Sequence, residues 1–298
     1  MVERGRANCV NSRLLSEPIR STEPHLKYIV LGATGFLGRR LVRTLSNADE
    51  ITIAIGGSRT PEILPHVESA SAQQALQLLE NLESDRYTVF NCANRFSRNG
   101  LNNLKQLSAN YLWPLKVLNL LPDSSHVRWI EVSTPWSLSY SKGPLVNLYG
   151  LSRLASIVGL RSILGQKEGA LTTVYVGDVF GLDDPRGKVP SVALQLMSTE
   201  ETMYVTGGTQ VLRPMHVDDV VDGLLSVLDK PWLDRVRLDA GETTLADFVE
   251  LVNERAGREV IRLREGPIQD DLSHNPFEAH GIAVMTLRRF ESALPDGP

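Results

Sequence analysis

Residues 26–38 read LKYIVLGATGFLG, and the spacing of their three glycines decides the fold. Leu26 to Leu31 is a short apolar run of strand character. A helical pattern starts immediately behind Gly35, with Phe36, Leu37, Arg40, Leu41 and Leu45 at helical spacing. Gly32, Gly35 and Gly38 form G-x-x-G-x-x-G, which permits a tight turn, close backbone approach and helix–strand packing. Such a loop, with Thr34, Phe36 and Leu37 between its glycines, turns the free N–H groups of a helix start towards a pyrophosphate. Glycine turns also serve as plain strand-to-helix connectors, so the surrounding pattern has to arbitrate.

That pattern is an alternation. Strands are expected at 26–31, 51–55, 87–91, 127–132 and 171–176, with helices at 36–46, 73–82, 101–121 and 147–164 between them. A further strand near 63–67 is weakened by Pro61 and Pro65. Repeated β-α units predict an α/β, Rossmann-type doubly wound parallel sheet. The domain reading is a flexible extension over 1–25, a dinucleotide-binding domain over 26–176 and mainly a smaller substrate-binding lobe over 177–298. Segments near 210–230 are expected to return to the first domain.

Hydrophobic residues make up 42% and charged residues 22%, with a net charge of −4, so there is no basic excess pointing to nucleic acid. Cys9 and Cys92 are far apart and form no disulfide framework, which suits a reducing, cytoplasmic setting. No apolar run is long enough for a membrane span, and residues 1–25 have no signal-peptide core. The six histidines show no metal-ligand spacing.

The second strand ends I55-G-G-S-R59 without the acid that would bond a ribose 2′-hydroxyl. Ser58 and Arg59 can instead hold a 2′-phosphate, which selects NADP(H) over NAD. The competing reading is an ordinary solvated arginine.

Further segments follow in a fixed order: F90-N-C-A-N94, Asn110, V132-S-T-P-W136, Y149-G-L-S-R153, V176-G-D-V-F-G181 and R213-P-M-H-V-D-D219. Together with the glycine loop, over roughly residues 26–260, they resemble the extended short-chain dehydrogenase/reductase family, whose members often modify nucleotide-diphosphate sugars. The resemblance implies Thr134 as the hydroxyl that bonds the substrate oxygen, with Ser133 beside it, and Tyr149 as proton donor. Arg153 stands where the family usually has lysine. It would hold the ribose hydroxyls and assist Tyr149, four residues before it on the same helix face. Cys92, Ala93, Asn110, Val176 and Val179 would lie along the cofactor. Trp136, Lys188 and Arg213 would face the substrate, with Arg213 on its diphosphate. In a structural reading, Thr134 satisfies a backbone group, Asn110 braces a helix, and His216 starts a helix whose first turn carries Asp218 and Asp219.

Within that resemblance, Pro135 and Trp136 occupy positions where dehydratases carry acids. The compact chain looks more like a ketoreductase acting on C4 of a nucleotide-linked keto-deoxy sugar. An epimerase with bound NAD(P), or a silent nucleotide-binding regulatory subunit suggested by Arg153, are the alternatives. The apolar helices at 101–121 and 147–164 imply pairing into a homodimer, as in the resembling family.

Overall fold

The structure is a computed structural model that describes residues 26–50, 52–82, 86–96, 103–123, 126–138, 148–167, 169–231, 233–265 and 282–295. The expected extension over 1–25 lies outside them. From the glycine loop outward the elements are β1 (Lys27–Leu31), α1 (Phe36–Asn47), β2 (Thr52–Ile55), β3 (Val67–Ala70), α2 (Ala72–Glu80) and β4 (Arg86–Asn91). α3 (Asn103–Leu107) and α4 (Trp113–Leu120) are joined through a π-helical turn over Ser108–Leu112. β5 (His126–Ser133), α5 (Leu148–Leu164), β6 (Ala170–Tyr175), β7 (Asp178–Phe180) and α6 (Val189–Met197) come next. Then come β8 (Met203–Thr206), β9 (Val211–Leu212), β10 (Pro214–His216), α7 (Val217–Ser226), β11 (Arg235–Asp239) and β12 (Thr243–Thr244). α8 (Leu245–Ala256), β13 (Ile261–Arg264) and β14 (Ala283–Thr286) complete the chain.

Eight strands form one sheet in the order β14-β11-β6-β5-β4-β1-β2-β3, and every pairing within it is parallel. The order reverses between β1 and β4, and at such a switch point the crevice beyond the carboxyl ends of the strands takes ligands. The sheet is buried on both faces, as a parallel sheet requires. In β1, Tyr28 and Val30 belong to the core cluster that also holds residues of α1, α6, α7 and α8, whereas Ile29 and Leu31 belong to the one with α2, α4 and α5.

Two expectations are corrected. The strand sought near 63–67 lies at Val67–Ala70, because the proline-flanked segment before it does not enter the sheet. The C-terminal half also returns to the sheet more fully than a boundary at 177 suggested. β11 and β14, both beyond residue 230, supply two of its eight strands. β14 is the edge strand, and its four half-buried and exposed residues form a short pattern that sequence periodicity resolves poorly.

Candidate active site

Gly32 adopts φ +75°, and a Cβ there would sit 2.7 Å from the backbone of Ala93. The turn therefore lies directly on the segment leaving β4. A Cβ on Gly38 would come 2.3 Å from the Gly32 carbonyl, so the first turn of α1 is seated on the same loop. Gly35 is the N-cap of α1, no side chain caps it, and the first turn has no acid. Its N–H groups and dipole are therefore available to an anion, which fits the pyrophosphate of a dinucleotide. Phe36 is buried, and the Arg186 guanidinium lies over its ring at 4.9 Å. Arg39 and Arg40 bond Asp183 at 2.8 and 2.9 Å, which ties α1 to the loop after β7. Thr34 and Leu37 are half-buried along this rim, Val179 is buried on β7, and the amide of Val176 bonds the Ser133 carbonyl at 3.1 Å. At the far end of the crevice, Ser58 and Arg59 are exposed just beyond β2, with no carboxylate in the turn.

The tyrosine end is built by close approach. A Cβ on Gly150 would fall 2.5 Å from the Trp136 carbonyl, so α5 passes directly against the 3-10 turn Pro135–Ser137. This brings half-buried Tyr149 and Trp136 to the turn that carries Ser133 and Thr134. The Thr134 hydroxyl accepts the Trp136 amide at 3.4 Å and caps that turn, while Ser133 and Ser137 share a hydroxyl contact at 3.2 Å. The capping role leaves the Thr134 hydroxyl proton to donate elsewhere. The hydroxyl of Tyr149 accepts the side-chain amide of Asn94 at 2.7 Å, and Phe96 packs edge-on against its ring at 5.3 Å.

Arg153 is buried. Its side chain is 1% exposed and turns into the core, where it bonds Glu131 at 2.9 Å. It also donates to the carbonyls of Ala93 (3.1 Å) and Val132, and so ties the ends of β4 and β5 together. Glu131 is completely buried. Its other oxygen accepts Asn91 at 2.8 Å and the Trp129 indole at 2.9 Å, and Ser156 reaches the first oxygen at 3.3 Å. The contacts recorded for Arg153 are thus to the core and the strand ends. The buried carboxylate matches the charge of this guanidinium, and two backbone carbonyls take further donors of its fork.

Asn110 is also completely buried and acts from behind. It accepts the Arg95 amide at 2.7 Å, donates to the Arg95 carbonyl at 2.9 Å and reaches Ser152 at 3.1 Å. These bonds brace the segment after β4 against the π-helical turn and α5. It sits on the π-helical turn, a feature frequent at functional sites. The Cys92 thiol is pushed up to about 12 by burial, with Glu131 adding to the shift and Arg153 opposing it, so it stays protonated.

On the C-terminal side, Lys188 bonds Asp178 at 3.1 Å, and the other oxygen of Asp178 accepts the Arg213 amide at 3.2 Å. Burial raises the Asp178 pKa, but Lys188 and Arg213 more than offset it and hold the carboxyl below its usual range. The Arg213 side chain is 9% exposed, pairs with Glu242 at 3.2 Å and lines a cavity of about 300 Å³ with Gly177, Arg237, Asp239 and Arg289. His216 caps α7, accepting the Asp218 amide at 3.4 Å, which is the structural alternative. Among the described residues no group of His, Cys, Asp and Glu could hold a metal, and no helix is long and apolar enough to cross a membrane.

The model of the NAD dependent epimerase/dehydratase family matches residues 28–236, more than half of the chain. The chain belongs to that family. Among family relatives, it is 22% identical to the CDP-abequose synthase of Yersinia pseudotuberculosis over 241 residues, covering 77% of this chain and 84% of the relative. Its fold matches MoeE5 in complex with UDP-glucuronic acid and NAD, with a TM-score of 0.67, 18% identity and 90% and 92% coverage of the two chains. It also matches the dTDP-glucose 4,6-dehydratase DesIV from Streptomyces venezuelae, with a TM-score of 0.65, 16% identity and 83% and 86% coverage. Two residues of this family member's site escaped the motif reading, Asn94 and Glu131. Asn94 stood unassigned inside a quoted motif. Glu131 had a detectable signal, since an acid within the apolar strand VRWIEV calls for a buried partner.

Proposed function

We propose that the protein carries out the NADPH-dependent reduction of a keto group, at C4, of a nucleotide-diphosphate-linked deoxy sugar, with Tyr149 as proton donor. The observation that carries this reading is the Tyr149 hydroxyl at the crevice, brought by Gly150 against the turn that presents Thr134. A bound reduced nicotinamide supplies the hydride. The glycine loop and the uncapped start of α1 bind the pyrophosphate, and Ser58 and Arg59 take the 2′-phosphate. Thr134 donates to the substrate oxygen and orients it towards Tyr149, whose proton completes the alcohol. Lys188 and Arg213 bind the substrate diphosphate.

Reduction is favoured over dehydration because Pro135 and Trp136 follow Thr134, and the nearby acid Glu131 is spent on Arg153. The family, and the nucleotide sugars named with its relatives, support the substrate class. Leu104, Leu112, Leu151 and Val158 are exposed on α3, the π-helical turn and α5, and support a homodimer through these helices. A dimer mass in light scattering at micromolar concentration is the expected result, and a monomer counts against it.

The test is loss of NADPH absorbance over a panel of nucleotide-linked 4-keto sugars. The parent consumes NADPH with one of them, and Tyr149→Phe lowers kcat by about 10²–10⁴-fold with NADPH affinity retained. Sugar interconversion without net consumption identifies an epimerase instead. Tight binding with no turnover across the panel identifies a regulatory subunit.

A further inference from the structure

We propose that Asn94 is a catalytic residue of this site. Its side-chain amide donates to the Tyr149 oxygen that gives up its proton, a role the diverted cation Arg153 does not fill. The inference rests on the reading of Tyr149 as proton donor. In that step the Tyr149 O–H bond breaks and the proton passes to the substrate's carbonyl oxygen as its carbon gains hydride. The electron pair stays on the tyrosine oxygen. A donor aimed at that oxygen bonds the phenolate more strongly than the phenol, and so lowers the barrier.

Three observations converge. The Asn94 amide nitrogen is 2.7 Å from the Tyr149 oxygen, a short distance for this bond. The backbone on both sides of Asn94 is fixed: the Ala93 carbonyl accepts Arg153 at 3.1 Å, the Ala93 amide donates to Asn91 at 3.1 Å, and Arg95 is held at both its amide and its carbonyl by Asn110. Asn94 is itself exposed, so neither packing nor burial explains its orientation. Arg153, Glu131 and Asn110 thus form a buried frame whose external product is a fixed amide beside the phenol. Among the described residues, the charged and titratable groups on the elements around Tyr149 include Arg153 and Glu131, engaged with each other, the protonated Cys92, and the exposed Arg95 and Lys105.

The test uses Asn94→Ala and Asn94→Asp in the full chain. The first readout needs no substrate: the titration of Tyr149, followed by NMR with carbon-13 at the tyrosine Cζ and assigned by its loss in Tyr149→Phe. The second is the pH profile of kcat on the best keto sugar. Asn94→Ala should make Tyr149 titrate at a higher pH than it does in the parent. It should also lower kcat by about 10–100-fold and carry the alkaline limb of the profile upward, with NADPH affinity within a few fold of the parent. Asn94→Asp, an acceptor when ionised, should lower kcat further. A midpoint and a kcat that match the parent in Asn94→Ala overturn the proposal. A midpoint that moves while the parent reduces no keto sugar supports the hydrogen-bond assignment and overturns the reductase reading instead.

Discussion

The glycine loop and the first turns of α5 both face the same crevice, but they are specified in different ways. The loop works through its backbone. Its requirements are a positive φ at Gly32 and room for the Ala93 backbone, and only glycine meets them. The α5 turn works through side chains, and there the residue at a given spacing does not fix its role. Tyr149 points to the crevice, whereas Arg153, one turn on, is claimed by Glu131 from a neighbouring strand. Spacing therefore suffices to read the loop, but the helix can be read only once its partners are known.

The largest effect expected is at the core pair. Glu131→Ala leaves the Arg153 guanidinium buried without its counter-ion and should cost about 3–5 kcal/mol of stability, read by urea unfolding. A loss below about 1 kcal/mol would show that the pair behaves like a surface contact. On the loop side, Gly32→Ala imposes both a strained φ and a Cβ within 2.7 Å of the Ala93 backbone. It should destabilise the chain by about 2–4 kcal/mol and abolish dinucleotide binding by calorimetry. Tolerance of alanine there would remove the backbone argument. Arg59→Ala should weaken NADPH by about 1.5–3 kcal/mol and leave NADH almost unaffected. Equal loss of both cofactors would return Arg59 to the solvent. The smallest effect is at Cys92. Held protonated, with its pKa raised to about 12, it should react with iodoacetamide far more slowly at pH 8 than the unfolded chain does. Equal rates would contradict its environment.

The sheet was legible because buried parallel strands are continuous apolar runs separated by helical periodicity, as IVL at 29–31 and VF at 89–90 illustrate. β14 was not legible: AVMT is four residues of half-buried and exposed character whose pairing with β11 depends on tertiary context. In the site, the Gly32, Tyr149 and Arg213 segments were recognised by motif. The contacts that decide their chemistry cross between elements distant in sequence, 55 residues from Asn94 to Tyr149 and 22 from Glu131 to Arg153, and no local pattern records them.

The central claim is that the cation at 153 serves the core and not the cofactor. Its most direct test is the double variant Glu131→Gln/Arg153→Gln, which removes both buried charges and keeps hydrogen-bonding amides in their place. NADPH affinity, measured by fluorescence titration on protein shown by circular dichroism to be folded, should stay within a few fold of the parent. The double variant should also be more stable than either single one, because each single variant leaves an unpaired buried charge and the double variant leaves none. A folded double variant whose NADPH affinity falls by tenfold or more would contradict the account and return Arg153 to the cofactor.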